Sequence, residues 1–192
     1  KSVPGFVRSD LEALEWCLSE VTDNVINHSA SPGGGVAQLS NRSKSRKIEF
    51  AICDVGASIP KTLRPSHPEI YEDFDALSWA IREGVTRDPA IGQGNGLFGS
   101  SEVCAGSGGF ISIQSGRGSL HKNQDGLSLK NQKIPFAGTL IDGCISYAEP
   151  GQLARALKFH VSGSDFISLR YELDDDVPVI HVRSEVQSVG AR

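Results

Sequence analysis

A group of polar residues near the start of the chain has the spacing of a functional helix face. Glu20 and Asn24 are one helical turn apart, and Asn27 and His28 continue the same face. A carboxylate beside a carboxamide can hold a metal-bound phosphate and orient a water next to it. The pattern is also typical of the solvated face of an amphipathic helix, so the rest of the chain must decide between the two interpretations.

A second candidate is the segment Asp54-Val-Gly56, which follows a predicted buried strand. An acid at the end of such a strand, followed by glycine, can present its carboxylate to a flat ligand that approaches the backbone closely. The carboxylate could accept a hydrogen bond from an exocyclic amine such as that of adenine. An aspartate that simply begins a turn is an equally good interpretation of these residues alone.

The third candidate is a glycine-rich stretch, Gly92-Gln-Gly94-Asn-Gly96-Leu97, which precedes a predicted helix. Closely spaced glycines let backbone N–H groups point inward, and a helix N-terminus adds partial positive charge, so the stretch favours an anion. In the loop before it, Arg87 is either a phosphate ligand or a solubilising charge.

Two common nucleotide motifs do not fit this stretch. The dinucleotide fingerprint needs a strand directly before it and an acid about 20 residues later. Here a proline-containing loop precedes the glycines, and no acid follows at that distance. A P-loop needs a lysine and a serine or threonine after its last glycine, and Gly99-Ser-Ser-Glu102 lacks that lysine.

Periodicity predicts the elements that must position these residues. Ser9 and Glu12 have the form of a capping box, so the first helix is predicted to begin at Asp10 and to end at the glycines of residues 31–35. Strands are predicted at 36–39 and 48–53 around a polar hairpin loop, with short helices around residues 76–81 and 100–104. Further strands are predicted at 108–114, 127–129 and 138–147, and after residue 150 at 157–161, 166–171 and 179–182.

Composition bounds the class of protein. The chain has 192 residues, of which 39% are hydrophobic and 22% charged, as expected for one globular domain with an appendage. The formal net charge of -4 argues against nucleic acid as the main ligand. No apolar run is long enough for a bilayer, and no signal-peptide pattern is present. The four cysteines are far apart, and we expect them to be reduced core residues of a cytoplasmic protein.

The order of the motifs resembles that of the GHKL (Bergerat-fold) ATPases and kinases. The resemblance covers roughly residues 10 to 148 and has four parts: Glu20-x-x-x-Asn24, Asp54-x-Gly56, Gly92-x-Gly94-x-Gly96-Leu97 and Gly138-Thr139. It implies a two-layer α/β sandwich, with a mixed, mostly antiparallel sheet covered by helices on one face. The ATP-binding domain is expected at residues 1–149, with a linker or a small segment, similar to a STAS domain, at 150–192.

The resemblance implies a role for each matching residue on the first helix. Glu20 would be the general base that polarises the attacking water or acceptor. Asn24 would ligate the Mg²⁺ that bridges the phosphates, and Asn27 and His28 would support that shell.

The other motifs would hold the nucleotide. Asp54 would accept the adenine amino hydrogen, Gly56 would leave room for the ring, and Thr139 would help through a water. The phosphates would be enclosed by the glycine-rich stretch and the loop before it, through Arg87, Gly92, Gly94, Gly96 and Leu97.

The chain departs from the family pattern at three places, which puts affinity and rate in doubt more than the fold. Ser58 stands where the aspartate motif usually has a second glycine, and Asn95 stands where a leucine is common. The lid has no lysine, so Arg87 would have to serve.

The expected function is therefore Mg²⁺-dependent ATP binding with hydrolysis or transfer of the γ-phosphate in a bacterial signalling or regulatory protein, leaning towards the anti-sigma serine kinase branch. A catalytically silent, ATP-gated interaction module is the alternative. Expected partners are ATP and a protein partner or phosphoacceptor outside this chain, with a homodimer left open. Neither nucleic acid nor a membrane is expected to be a partner.

Overall fold

The structure, a computed structural model, describes residues 7–31, 33–85, 94–157, 171–172 and 181–182. The side chains of residues 25–28, 171–172 and 181–182 lie outside that description. In chain order the helices and strands are α1 (Arg8–His28), β1 (Gly35–Arg42), β2 (Lys47–Asp54), α2 (Ile59–Leu63), α3 (Asp73–Ala80), α4 (Gly96–Gly106), β3 (Phe110–Asn123), β4 (Gly126–Ser146), α5 (Gln152–Ala156), β5 (Tyr171–Glu172) and β6 (His181–Val182).

The main sheet has four strands in the order β1-β2-β4-β3. We predicted a mixed, mostly antiparallel sheet, but every pairing among the described strands of this sheet is antiparallel. The difference arises because β4 lies between β2 and β3 and runs opposite to both. The chain is thus of the α/β class, with an open antiparallel sheet and helices.

One face of the sheet is buried under helices. Along β2 the side chains alternate between buried and partly exposed, with Ile48, Phe50 and Ile52 on the buried side. These residues share a hydrophobic core with buried residues of α1, α3 and α4. Asp54 is two residues after Ile52, so its side chain lies on the same, helix-covered face of the sheet as the three apolar residues.

Strand β3 bends near its middle, at residues 116–118, where its pairing with β4 shifts register twice. Beyond the bend, the second half of β3 lies beside the first half. This is shown by His121, whose Nδ1 lies 3.0 Å from Ser112 Oγ and whose ring packs near that of Phe110. The bend follows directly after Ser115, which is therefore the last residue of the straight part of β3.

Several predicted elements are confirmed with altered bounds. The β1–β2 hairpin has a shorter turn than predicted, residues 43–46, and α3 covers most of the predicted helix at 76–81. Helix α4 begins at Gly96, four residues earlier than expected, and β4 is continuous where two separate strands were predicted. The short helix α2 was not predicted. After residue 157 the described residues form only the pair β5–β6, which overlaps the last two predicted strands; residues 158–161 lie outside the description.

The predicted capping box is wrong. Helix α1 begins at Arg8 with Val7 as its N-cap residue, and no side chain caps it. Ser9 is therefore already inside the first turn, and Glu12 pairs with Arg8 instead, with Glu12 Oε1 at 2.9 Å from Arg8 Nε.

Asp10 has a long-range role that the local pattern concealed. Its side chain is buried, and its two carboxylate oxygens accept the backbone N–H groups of Gly151, Leu153 and Ala154 at 2.6, 2.9 and 3.2 Å. These N–H groups lie at the start of α5, where a helix has no internal acceptors for them. Leu153 is fully buried, so residues just after 150 pack on α1. The division of the chain at residue 150 stays a prediction.

The four cysteines form no disulfide, as expected, and three of them are buried. Within the described part of the chain, no helix is both long and apolar enough to cross a lipid bilayer.

Candidate functional site

Three polar side chains lie side by side where β2, β4 and β3 are paired. Asp54 faces Thr139 in register, and Thr139 faces Ser115 on the other side. All three are buried. Each is separated from the core residues of its own strand by an even number of positions, so all three lie on the helix-covered face of the sheet. We refer to Asp54, Thr139 and Ser115 as the strand end of the site.

The Asp54 carboxylate is held by backbone donors. Its Oδ1 accepts the N–H of Gly56 at 2.7 Å, and the carboxylate also accepts the backbone N–H of Thr139. Burial raises the pKa of Asp54, while these two hydrogen bonds act in the opposite direction. The arrangement positions the carboxylate as a hydrogen-bond acceptor for a donor that approaches from the helix side.

Ser115 was not predicted as a site residue. Its Oγ lies 2.8 Å from Thr139 Oγ1, 2.8 Å from the Gly138 carbonyl oxygen and 2.8 Å from the backbone nitrogen of Ile59. The sequence carried one signal for it, since alternation places Ser115 on the same face as Ile111 and Ile113, where a polar residue is unusual. The strand predicted at 108–114 ends one residue before Ser115.

Two glycines allow backbone segments to approach each other at the strand end. Gly138 has a φ of +91°, and a Cβ built on it would overlap the Asp54 carbonyl group. A Cβ on Gly56 would overlap the carbonyl group of Ser29, just after α1. Gly56 was expected to leave room for a ligand ring; that role stays a prediction, and close packing against the end of α1 already requires a glycine.

In the middle of α1, the Glu20 carboxylate lies against Gly96, the first residue of α4. A Cβ built on Gly96 would overlap Glu20 Oε2, so the two residues are in close contact. The N-terminus of α4 carries partial positive charge and N–H groups without acceptors inside the helix, which favour an anion here. We refer to Glu20, Asn24 and the start of α4 as the helix end of the site.

Asn24 is oriented by its own helix. Its Nδ2 donates to the backbone oxygen of Glu20 at 2.8 Å, and this hydrogen bond does not use the amide oxygen, the atom that would ligate Mg²⁺. Among the described residues, no group of three or more His, Cys, Asp or Glu side chains is arranged to hold a metal. At the predicted site the Asn24 amide oxygen would act together with phosphates and with the several waters that Mg²⁺ usually keeps.

Asp23 is a further carboxylate that we did not assign. It lies three residues after Glu20 and thus beside it on the helix surface. Asp23 is half-buried, and burial raises its pKa. The spacing alone could have pointed to it. Asn27 and His28 lie in the last turn of α1, but their side chains are outside the described part.

The two ends of the segment 86–93 meet at the helix end. Gly94 has a φ of +72°, and a Cβ built on it would overlap the backbone of Gly84 and Val85. Asn95 Oδ1 accepts the Gly84 N–H at 3.2 Å. We call these contacts the loop clasp.

Two predicted phosphate ligands, Arg87 and Gly92, lie outside the described residues. The side chain of Leu97 packs in the core, so a contact of this residue with a ligand would come from its backbone.

Helix α1 connects the two ends. The Glu20 contact lies in its middle, and the Ser29 carbonyl just after its last residue packs against Gly56 and accepts the N–H of Ala57. At about 1.5 Å per residue, Glu20 and Ser29 are about 13 Å apart along the axis.

A separate cleft of about 380 Å³ is lined by Lys47, Glu49 and His121. Glu49 alternates with the buried residues of β2, so this cleft lies on the sheet face away from the core. It contains none of the predicted site residues.

Neither a scan of protein-family models nor a search of curated proteins found a match for this chain.

Proposed function

We propose that the chain binds ATP and Mg²⁺ in a two-layer Bergerat-type domain and hydrolyses or transfers the γ-phosphate. The observation that carries this proposal is the contact between Glu20 and Gly96, which joins two of the four motifs across α1 and α4. The other two motifs also meet, since Asp54 pairs with Thr139 across β2 and β4. These two contacts support the proposal that the four motifs form one site.

The strand end supports recognition of the base. Asp54 is buried, and backbone N–H groups hold its carboxylate as an acceptor. It would accept a hydrogen bond from the amino group of adenine, and Thr139 would contribute through a water. A buried hydrogen bond to a charged group contributes about 1.5–3 kcal/mol, enough to select one base over another.

The helix end supports binding of the phosphates. The N–H groups at the start of α4 would face them, with Gly94 and Gly96 keeping the backbone accessible. Arg87 and Gly92 would be further phosphate ligands, as the family resemblance implies. Asn24 would hold Mg²⁺ through its amide oxygen. When bound, Mg²⁺ supplies neutralisation of the phosphate charge.

Further residues of α1 would complete this end of the site. Asn27 and His28 would support the shell around the ion, as the family resemblance implies.

Glu20 would perform the proton transfer. Its carboxylate would take the proton from the oxygen of an attacking water, or from the hydroxyl of a protein acceptor, as that oxygen approaches the γ-phosphate. The contact with Gly96 holds the carboxylate at the end of α4 where the terminal phosphate would bind. Because phosphoryl transfer depends mainly on positioning and electrostatics, this placement matters more than a large shift in basicity.

The loop clasp favours a second candidate, an ATP-gated interaction module without chemistry. Gly94 and Asn95 contact Gly84, so the residues on either side of the segment 86–93 are joined. A ligand that stabilises one arrangement of this segment could change a surface for a protein partner. The presence of Glu20 favours catalysis. The resemblance leans towards the anti-sigma serine kinase branch, with the phosphoacceptor outside this chain.

Calorimetric titration with a non-hydrolysable ATP analogue tests the proposal. We expect binding that needs Mg²⁺ and that the matching GTP analogue does not reproduce. Asp54→Ala should lose about ten- to hundredfold in affinity. Asp125→Ala removes an exposed carboxylate in the β3–β4 turn and should bind like the wild type. Equal affinity of the Asp54→Ala variant and the wild type would overturn the assignment of the strand end.

A further inference from the structure

At the strand end, the number of hydroxyl hydrogens on Ser115 and Thr139 determines which group donates in each hydrogen bond. Ser115 has one hydroxyl hydrogen, and its Oγ lies 2.8 Å from the Gly138 carbonyl oxygen, which can only accept. The hydrogen of Ser115 is therefore used for Gly138. The Ile59 N–H can only donate, so Ser115 accepts that bond at 2.8 Å.

The remaining contact of Ser115, at 2.8 Å to Thr139 Oγ1, must then run in one direction. Because Ser115 has no second hydrogen, Thr139 donates its own hydroxyl hydrogen to Ser115. Thr139 Oγ1 consequently has only lone pairs left for any other neighbour. A threonine hydroxyl ordinarily rotates to donate or accept as the ligand requires, and here Ser115 removes that freedom.

Thr139 and Asp54 are directly opposite each other on β4 and β2, so their side chains lie within a few ångströms of each other. The ionised Asp54 carboxylate is acceptor-only. The strand end therefore presents two acceptors together, and a ligand edge that faces them must supply hydrogen-bond donors. An amino group or a donating water meets this requirement, whereas a keto oxygen meets two sets of lone pairs.

We infer that Ser115 is a specificity-determining positioning residue, which holds the Thr139 hydroxyl as an acceptor so that the site selects 6-aminopurine over 6-oxopurine nucleotides. The inference rests on the proposed ATP site and assigns to Ser115 a role that none of the sequence motifs contained. Ser115 acts only through Thr139 and is too deeply buried to touch the nucleotide.

The test is the ratio of affinities for non-hydrolysable analogues of ATP and of inosine triphosphate, which carries a keto oxygen in place of the amino group. In Ser115→Ala the Thr139 hydroxyl is released and can donate to the water that links it to the ligand, and this water then has a hydrogen to donate to the keto oxygen. The preference for ATP should therefore fall about three- to tenfold. Ser115→Thr retains a hydroxyl and should restore the preference. A purely structural role would weaken both analogues together and leave the ratio unchanged.

Thr139→Val provides the second variant, because it removes the hydroxyl with little change of shape. It should lower the preference as much as Ser115→Ala does, and adding Ser115→Ala to Thr139→Val should then lower it no further. An unchanged ratio in Thr139→Val would overturn the inference even if Ser115→Ala fails to fold. If the wild type binds ATP but both variants retain its ratio of affinities, the role of Ser115 is contradicted and the proposed function is not. If the wild type binds no ATP, the proposed function is contradicted, and this inference with it.

Discussion

The strand end and the helix end of the site are held in different ways. At the strand end, Asp54, Thr139 and Ser115 lie on three neighbouring strands, and each is fixed by hydrogen bonds to backbone groups of the sheet. At the helix end, Glu20 and Gly96 meet only because α1 packs against α4. The first geometry follows from strand register, and the second follows from the packing of side chains between two helices.

This difference predicts how each end responds to substitution. Changes at the strand end should alter the fold or the choice of base, because the side chains there are part of the sheet's hydrogen bonding. Changes to the Glu20 carboxylate, or to its position against α4, should alter turnover while the fold and nucleotide affinity are preserved.

Glu20→Gln should give the largest effect. It retains the shape of the side chain but removes the basic carboxylate, so turnover should fall about 10²- to 10⁴-fold. Affinity for the non-hydrolysable ATP analogue should stay within a few-fold of the wild type. Steady-state phosphate release and calorimetry measure the two quantities. Turnover that survives at the wild-type rate would place the base elsewhere.

Gly138→Ala should damage the strand end through the fold. The left-handed φ of +91° and the overlap with the Asp54 carbonyl should together cost about 3 kcal/mol of unfolding free energy. Gly34→Ala is the matched control, because Gly34 also has a positive φ, +68°, but its Cβ would enter open space; it should cost about 1 kcal/mol. Urea unfolding measures both, and equal losses would mean that the close approach to Asp54 contributes nothing.

Gly96→Ala should separate turnover from stability at the helix end. The added methyl group overlaps the carboxylate at the end of the flexible Glu20 side chain, which can move aside, and lies 3.3 Å from Glu20 Cβ. The unfolding free energy should change by less than about 1 kcal/mol, while displacement of the carboxylate should lower turnover about ten- to hundredfold. Gly33→Ala, where a Cβ meets nothing, is the control. A stable variant with full turnover would show that the position of Glu20 against α4 is unimportant.

The smallest effect is expected from pH at the strand end. Burial raises the pKa of Asp54 in the folded chain above its usual value of 3.8, so the folded state retains this proton to higher pH than the unfolded state. Protonation of Asp54 therefore stabilises the folded state. This stabilisation is fully present below the unfolded-state pKa of Asp54 and is lost as the pH rises through its folded-state pKa. Asp54→Asn removes this loss.

Unfolding of the wild type and of Asp54→Asn at a series of pH values measures the effect. As the pH rises from about 3.8 upwards, the unfolding free energy of Asp54→Asn should increase relative to that of the wild type. Affinity of the wild type for the ATP analogue should increase over the same window, because donors on the ligand favour the ionised carboxylate. Parallel pH profiles of the two proteins would contradict the assignment of this titration to Asp54.

The sequence was sufficient to predict those parts of the structure that local patterns determine. The β1–β2 hairpin and α3 follow from alternation and helical spacing and are confirmed. The capping box failed because Ser9 and Glu12 satisfy a local pattern, whereas the chain begins its helix earlier and uses Asp10 to cap α5 across the fold. Ser115 could not be assigned because its role depends on the bend of β3 and on the β3–β4 register, both of which are tertiary features.

The central claim is that the strand end and the helix end belong to one nucleotide site, and hydrogen exchange with and without Mg²⁺ and the ATP analogue tests it most directly. We predict slower exchange in peptides that cover residues 54–58 and in those that cover 94–99. Peptides that cover 121–125, beside the separate cleft, should be unchanged. Protection confined to one of the two ends, or found only at 121–125, would contradict the account.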